Sequence, residues 1–348
     1  MKILALDLGK YKTVACEYEV ESGRHRFHTI LTTPAALQQL VLRVQPEQVV
    51  IEICNIAGWL CDLLRGMGLT VLVANTSDEA WRWRKVRRKS DRCDALKLAR
   101  LAALNQVREV YIPSLSIRQW RALIAFRQQL VRRRSKVKNH IRDLLVSAGQ
   151  LLPRGAQCWT QLGRAHLEAL AHPLATVDWA ELWRGQLEIE LRQLQALQEE
   201  IAKIEEKLQA IASADPRVAL LRTVPGVGPR LAEAIVALVD RPARFHEAAQ
   251  VSAYIGMVPK ELDSGETRRR GPITKQGSRL VRSLLVEVAW AALRYNSWAR
   301  ALYERISGGK KSRRKIAIVA VGRRLLVRCW AMLRDGTRWQ APTLSNSA

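Results

Sequence analysis

The 348-residue chain has little that points to disulfides, structural zinc or a membrane. Its six cysteines form no CxxC pair, so neither a zinc site nor a disulfide framework is expected. No uninterrupted apolar run is long enough to span a bilayer. The first residues, MKILALDLGK, reach an aspartate at position 7 and predict a strand rather than a signal peptide. These features together predict a cytoplasmic protein without a membrane partner.

Acidic residues are also few relative to basic ones. The chain has 57 Lys and Arg against 32 Asp and Glu, which gives a formal net charge of +25. Such a charge favours a polyanionic partner, because each neutralised phosphate releases condensed counterions. The basic runs accompany no clear amphipathic anchor, which makes a membrane surface the weaker interpretation. We therefore expect a nucleic-acid partner and a nucleoid-associated location.

The first third of the chain has the pattern of a mixed sheet. Short apolar runs predict strands over Lys2–Leu8, 13–20, His25–Leu31, 48–54 and 69–74. Between them, apolar spacing predicts helices over Pro34–Val44 and 59–67. Three strands that could form a meander, followed by helix, strand, helix and strand, suit a mixed sheet with helices on its faces.

The rest of the chain has helical patterns. Residues 115–150 are helical and very basic, and a heptad pattern then follows at Leu187, Leu194, Leu197, Ile201, Ile204, Leu208 and Ile211. The heptads predict a coiled coil or a long helix in a helical hairpin, and an intramolecular pair competes evenly with a dimer seam. We favour a homo-oligomer, either a dimer or a tetramer. The predicted segments are 1–110, 111–213 and 214–340.

Four acidic residues stand in contexts that favour chemistry. Asp7 closes the first apolar strand and Glu52 lies within the fourth, where an unpaired carboxylate is costly. Asp91 and Asp94 lie three residues apart at the head of a predicted helix and share one face. Carboxylates from two strands and a helix can jointly hold one or two Mg²⁺ ions for phosphoryl transfer. The alternative for each residue is a strand-end acid, an N-cap or a salt bridge.

Two further motifs lie in the last third. PGVGP, with Gly226 and Gly228, interrupts two helical runs like a helix-hairpin-helix, whose glycines let backbone N–H groups approach a phosphate. A plain helix connector is the alternative. Ser264 stands before a glycine in a polar loop and is followed by Arg268, Arg269 and Arg270. Such a Ser-Gly pair is usually just a turn, but a serine among cations can attack a phosphate if a metal or a base lowers its pKa.

Four basic segments supply the candidate phosphate contacts, at 82–92, 127–142, 268–282 and 310–328. The cations singled out in the first three are Arg87, Arg88, Lys89, Arg132, Arg133, Arg134, Lys136, Lys138, Arg268, Arg269, Arg270, Lys275, Arg279 and Arg282.

These motifs together resemble the DEDD transposases of insertion sequence family 110, which include the Piv-type DNA invertases. The strongest matches are LDLGK, KSDRCD, PGVGP and YIGMVP…SG…GPITKQGSRLVR, and the resemblance covers nearly the whole chain. It implies a RuvC-like, RNase H-type N-terminal domain and a C-terminal transposase domain with a serine motif. The expected fold class is thus α/β plus α, with a helical coiled-coil middle and a mainly helical C-terminal domain that carries the helix-hairpin-helix.

The resemblance also implies roles for individual residues. Asp7, Glu52, Asp91 and Asp94 match the acidic tetrad, and Ser264 matches the serine nucleophile of the family. The implied reaction joins donor and target DNA through a transient serine link, guided by a bridge RNA. One departure concerns Glu52, because the family usually has a small-residue turn of the ATG kind after this glutamate, whereas this chain reads ICNIAG.

Two other interpretations remain open at this point. A metal-dependent nuclease or junction resolvase on the same scaffold predicts cleaved ends without a protein–DNA adduct. A non-catalytic architectural protein predicts that the acidic set is dispensable. A covalent adduct on Ser264 would separate the three.

Overall fold

The computed structural model describes residues 1–75, 90–153, 155–261 and 270–341. The chain divides into two compact units, an N-terminal unit, Met1–Arg118, and a C-terminal unit, Gln119–Ala348. The middle segment proposed from the sequence falls almost entirely within the second unit. The three-segment division stays a prediction.

The N-terminal unit is built on a five-stranded sheet. Its strands are β1 (Lys2–Leu8), β2 (Lys12–Glu19), β3 (His25–Leu31), β4 (Gln48–Glu52) and β5 (Thr70–Ala74), in the order β3-β2-β1-β4-β5. The first three form an antiparallel meander, whereas β4 pairs in parallel with β1, and β5 in parallel with β4. The mixed α/β sheet expected from the sequence is confirmed, with strand bounds shifted by one or two residues.

Helices cover both faces of this sheet, because its central strands are apolar on both sides. The helices are α1 (Pro34–Val44), α2 (Ala57–Gly66) and α3 (Asp91–Ala103). Side chains of α1 and α2 pack with Leu4, Leu6 and Ile51 on one face. Side chains of α3 pack with Ile3, Ala5 and Val50 on the other. Alternate residues of each strand therefore contact different helices.

Helices dominate the C-terminal unit. They are α4 (Leu115–Ser147, which begins just before the unit border), α5 (Gln161–Leu170), α6 (Leu182–Ala214), α7 (Pro216–Leu221), α8 (Pro229–Val239), α9 (Ala248–Tyr254), α10 (Arg279–Tyr295), α11 (Ser297–Ser307) and α12 (Arg314–Asp335). Strand β6 (Pro259–Glu261) pairs antiparallel with strand β7 (Arg270–Ile273). Every residue of α8 from Leu231 to Val239 is buried. Its neighbours include α7, α10 and α12.

The heptad segment is one continuous helix, α6, and its partner lies in the same chain. Arg127 of α4 pairs with Glu205 of α6, with 2.9 Å between Nε and Oε1. His140 of α4 contacts Glu190 of α6 at 2.7 Å between Nδ1 and Oε1. The earlier residue of α4 thus contacts the later residue of α6, and the later residue of α4 contacts the earlier one, so the two helices are antiparallel. The a-type positions of the heptads, Leu187, Leu194, Ile201 and Leu208, are buried.

No helix among the described residues is long and apolar enough to cross a membrane.

Candidate active site

Asp7 and Glu52 follow directly from the register of β1 and β4. The parallel pairing aligns Ile3 with Gln48 and continues to Leu6 with Ile51, so Asp7 and Glu52 occupy the next positions on neighbouring strands. Side chains alternate along a strand, which puts Asp7 on the face of Ile3 and Ala5. Glu52 shares a face with Val50 by the same rule. Both carboxylates are half-buried on the face that α3 covers.

Asp94 lies on the side of α3 that packs against this same face. Its side chain is buried at 7% exposure, next to Ala95 and one turn before Leu98. Helix α3 begins at Asp91, as predicted, because the Ser90 hydroxyl accepts a hydrogen bond from the Cys93 N–H at 3.3 Å and caps the first turn. Asp91 itself is exposed. The fold thus brings Asp7, Glu52 and Asp94 to one side of the sheet, and leaves Asp91 at the exposed start of the helix.

The metal-binding geometry is not complete among these side chains. Within residues 1–75, 90–153, 155–261 and 270–341, no group of three or more His, Cys, Asp or Glu residues is arranged to hold a metal ion. Asp7, Glu52 and Asp94 each have an interaction partner. Lys97 lies one turn after Asp94, and burial lowers the pKa of its ammonium group while Asp94 opposes that shift. A cation therefore accompanies the acids on α3.

The two segments that flank β6 and β7 form a base of close backbone contacts. Gly256 and Gly277 have positive φ angles of 68° and 70°, which a side chain would strain. A Cβ atom on Gly256 would lie 2.2 Å from the Gln276 backbone N, and one on Gly277 would lie 2.1 Å from the Tyr254 carbonyl O. The two segments of the YIGMVP…GPITKQGS motif therefore lie backbone against backbone. Only glycine allows that approach at either position.

Arg282 fixes this base from α10. Its Nη1 donates to the carbonyl oxygens of Ile255, Gln276 and Gly277 at 2.7, 2.5 and 3.2 Å. Burial is the largest influence on its guanidinium and lowers its pKa, and Arg279 adds to the shift. Arg282 was predicted to contact nucleic acid. That role stays a prediction, and the contacts described for its Nη1 connect the two motif segments. Arg279 and Lys275 are exposed.

Several predicted residues lie outside the described part of the chain. Ser264, Arg268 and Arg269 belong to the segment that joins β6 to β7, three or more residues beyond Glu261. Arg270 is described only by its backbone, as the first residue of β7. Arg87, Arg88 and Lys89 precede α3 and are also outside the described residues.

The PGVGP segment connects α7 to α8. Gly226 packs against α10, since an added Cβ would come within 2.9 Å of the Ala292 Cα. The Asn296 side chain donates to the Pro225 carbonyl from the end of α10 at 3.5 Å. Gly228 has open space around it and caps α8. Of the two glycines, Gly226 is used for packing and Gly228 leaves room for a ligand.

The cations of α4 divide into two sets. Arg132, Arg133 and Lys136 are exposed. Arg134 and Lys138 are half-buried and lie on a different side of the helix. Arg142, one turn after Lys138, donates to the Gly155 carbonyl at 2.7 Å.

Sequence reasoning missed the cations that act through tertiary packing. Arg121 donates to the carbonyl oxygens of Ala237 and Leu238 at 2.7 and 2.8 Å, and Arg244 donates to those of Leu238 and Val239 at 2.9 and 3.0 Å. Both guanidinium groups thereby cap the carbonyl end of α8. Arg164 was missed as well, because its surroundings come from α4. No local pattern in the sequence marks these three arginines.

Models of known protein families match both halves of the chain. A DEDD family model of IS110 type, described as a transposase, matches residues 4–149. The model of the IS116/IS110/IS902 transposase family matches residues 218–304. The chain is 30% identical over 291 residues to a probable family 20 transposase from Pseudomonas aeruginosa, which covers 82% of this chain and 83% of that protein. The chain belongs to the IS110-type transposases.

Other relatives agree with this membership. The transposase for insertion sequence element IS1111A from Coxiella burnetii is 29% identical over 344 residues, 96% of this chain and 90% of that protein. The transposase for insertion sequence element IS1328 from Yersinia enterocolitica is 25% identical over 222 residues, 62% of this chain and 63% of that protein. This IS110-type transposase is therefore a DNA-processing enzyme with DNA as a partner.

Proposed function

We propose that this transposase exchanges DNA strands through a covalent link to Ser264, with the acidic residues of the N-terminal unit holding a divalent metal ion. The observation that carries the proposal is the placement of Asp7 and Glu52 at adjacent register positions beneath α3, with Asp94 buried on the same side. Carboxylates on the covered face of an apolar sheet are costly unless they are paired or hold a metal ion. The matching family model is that of the DEDD transposases.

The donor set suits Mg²⁺. Carboxylate oxygens are the ligands that this ion prefers, and it is usually bound by one or two carboxylates together with substrate phosphate. Asp7, Glu52 and Asp94 would hold it, with Asp91 at the exposed edge. When bound, the ion supplies a lower pKa for a coordinated oxygen and stabilises the leaving oxygen. The DEDD family normally uses a divalent metal, and we propose magnesium on the chemistry of these donors.

In the proposed reaction the Ser264 Oγ attacks a phosphodiester. An Oγ–P bond forms while the P–O3′ bond breaks, and the leaving 3′ oxygen takes a proton. The product is a 5′-phosphoserine link and a free 3′ hydroxyl on the other strand end. Rejoining reverses the step with a different 3′ hydroxyl, so the ester bond is retained and no external energy source is needed. The arginines that follow Ser264 would stabilise the charge that develops on the phosphate.

The base formed by the two segments that flank β6 and β7 supports this role. Arg282, Gly256 and Gly277 fix the point from which β6 and β7 extend. A nucleophile attached to such a base can be oriented at low entropic cost. We also propose that a guide RNA bridging donor and target DNA directs the reaction, since the exposed cations of α4 can contact a second polyanion besides the DNA.

The decisive experiment is to trap the adduct. End-labelled donor DNA is incubated with the enzyme and Mg²⁺, the mixture is denatured, and the labelled peptide is mapped. We expect the label on Ser264, and we expect Ser264→Ala to abolish adduct and strand exchange while DNA binding stays nearly unchanged. The matched control is Ser283→Ala, which removes an exposed hydroxyl from α10.

Full strand exchange by Ser264→Ala would end the covalent interpretation and support a metal-dependent nuclease or resolvase. If Ser264→Ala and Asp91→Ala are each inactive, mixing the two variants asks whether subunits complement each other, because recovered activity requires acids and serine from different copies.

A further inference from the structure

A group of four cations in the C-terminal unit has no role in the reaction described above. We call Arg134, Lys138, Arg142 and Arg164 the four-cation cluster. The first three lie at intervals of four residues on α4 and form a row about 12 Å long, at ~1.5 Å per residue. Arg164 comes from α5. Lys138 is the common neighbour, since Arg134, Arg164 and Arg142 each influence its ammonium group.

Two members of the cluster lie against an aromatic ring next to a buried apolar core. The Lys138 Nζ lies 4.6 Å and the Arg142 Cζ lies 5.3 Å from the centroid of the Trp159 ring. Beneath them, Cys158 packs with Ile141, Leu145 and Leu167 in a buried apolar core. Arg142 is oriented further by its bond to the Gly155 carbonyl. Lys138 and Arg142 are thus held against a surface of low polarity, where charge interactions are stronger than in water.

This arrangement is unfavourable without an anion. Burial has the largest effect on Lys138 and lowers its pKa, and the three arginines lower it further. Only Cys158 raises it. The Arg164 Nε is buried and has no hydrogen-bond partner among the described residues. A buried donor without a partner costs free energy that a bound acceptor would recover.

Nearby carboxylates do not neutralise the cluster. Glu168 and Glu188 line a neighbouring cavity of about 440 Å³ that Arg164 also borders. Glu188 lies 3.7 Å from the Arg192 guanidinium, with which it pairs. In the stretches of chain that the structure describes, none of the four cations forms an ion pair with a carboxylate.

We propose that the four-cation cluster binds consecutive phosphates of a nucleic-acid backbone. Three arginine guanidinium groups match the fork geometry that phosphate oxygens accept, and Lys138 adds a point charge at the centre of the row. A backbone contact of this kind positions the nucleic acid and does not read its bases. The proposal rests on the proposed function, since it names a phosphate site of the same strand-exchange enzyme.

The test measures binding of a single-stranded RNA and of a DNA with the same sequence to the full chain over a range of salt concentrations. Lys138→Gln and Arg164→Gln should each lower the slope of log K against log salt by about 0.7, the value for one lost phosphate contact on a single strand. Lys138→Arg keeps the charge and should keep the slope. The control is Lys207→Gln, which removes one exposed charge from α6.

A second measurement separates binding from folding. Because the cations repel one another, Lys138→Gln should raise the melting temperature of the free protein and reduce the further rise on adding RNA or DNA. Loss of slope with only one of the two probes identifies which nucleic acid occupies the site. Unchanged slopes with both probes, in variants that fold, would overturn the proposal.

The outcome can be told apart from failure of the proposed function. If the cluster variants bind like the wild type while the Ser264 adduct still forms, only the cluster proposal falls. If the adduct is absent and the cluster variants still lose salt slope, the covalent mechanism falls and the phosphate site stands.

Discussion

The two units of the chain place their functional residues by different means. In the N-terminal unit, Asp7 and Glu52 are positioned by the register of two parallel strands. In the C-terminal unit, Arg164 and Lys138 meet only because α5 packs near α4, and Gly256 and Gly277 meet because two loops lie in contact. The first arrangement follows from the order of residues in two short segments. The second depends on the packing of a whole helical unit.

The two units also differ in the chemistry for which their side chains are suited. The acids of the N-terminal unit are suited to chemistry at phosphorus, whereas the cations of the C-terminal unit are suited to holding phosphate. A substitution in the first unit should therefore change rate without changing affinity. A substitution in the cations of the second should do the reverse.

The largest effect should follow from Asp7→Asn. It removes a proposed metal ligand and keeps the shape of the side chain, so strand exchange should fall by more than about 100-fold, the upper range for losing even an outer-sphere partner of a metal. DNA affinity should change little. Single-turnover exchange assays and filter binding check the two quantities. Glu19→Gln is the control, because Glu19 is an exposed acid at the opposite end of the same sheet. Equal losses in rate and affinity would contradict the division between units.

The next effect concerns stability. Ile201 is 4% exposed on α6, whereas Leu197 is half-buried. Ile201→Asp should lower the free energy of unfolding by about 3–5 kcal/mol, the range for an uncompensated buried charge, and Leu197→Asp should lower it by less. Because α6 packs against α4 of the same chain, the loss should not depend on protein concentration. Denaturant melts at two concentrations, with mass measurement, check this. A smaller assembly after Leu197→Asp would instead support the interpretation of the heptads as a dimer seam.

The smallest effect is a pH dependence within the C-terminal unit. Burial raises the pKa of the Glu233 carboxyl, against the opposing influence of Arg230. The folded state therefore keeps a proton that the unfolded chain releases, and this contribution to stability declines as pH rises above the ordinary glutamate range. Glu233→Gln should melt at a higher temperature than wild type at neutral pH, and the gain should shrink in acid. A gain that is constant from pH 4 to pH 8 would contradict the assignment.

The N-terminal unit could be predicted well because its signals are local. Runs such as KILALDL and PAALQQLVLRV end where the apolar pattern ends, and α1 has the predicted bounds. Asp91 starts α3 because Ser90 is its N-cap, a signal that lies within four residues. The register of β4 against β1 was not in the pattern, but the order of strands and helices along the chain was.

The C-terminal unit could be predicted less well. The heptads of α6 indicated a helical partner, but nothing in them says whether that partner is α4 or a second chain. Arg282 has the same local surroundings as Arg279, and only the folded loops show that its guanidinium bonds to three carbonyls. No local sequence pattern predicted a role for Arg164, because its neighbours come from another helix. Contacts between distant segments, rather than periodicity, decide these roles.

The pairing of β1 with β4 also sets how the chain tolerates insertions and deletions. Adding or removing one residue within β4 would move Glu52 to the opposite face of the sheet, since side chains alternate with a period of two. The apolar side chains of β4 could still be buried, because helices cover both faces. Such a one-residue shift would thus leave a folded protein in which Glu52 no longer lies on the same face as Asp7. Length changes in the loop between α1 and β4 would leave the two acids side by side.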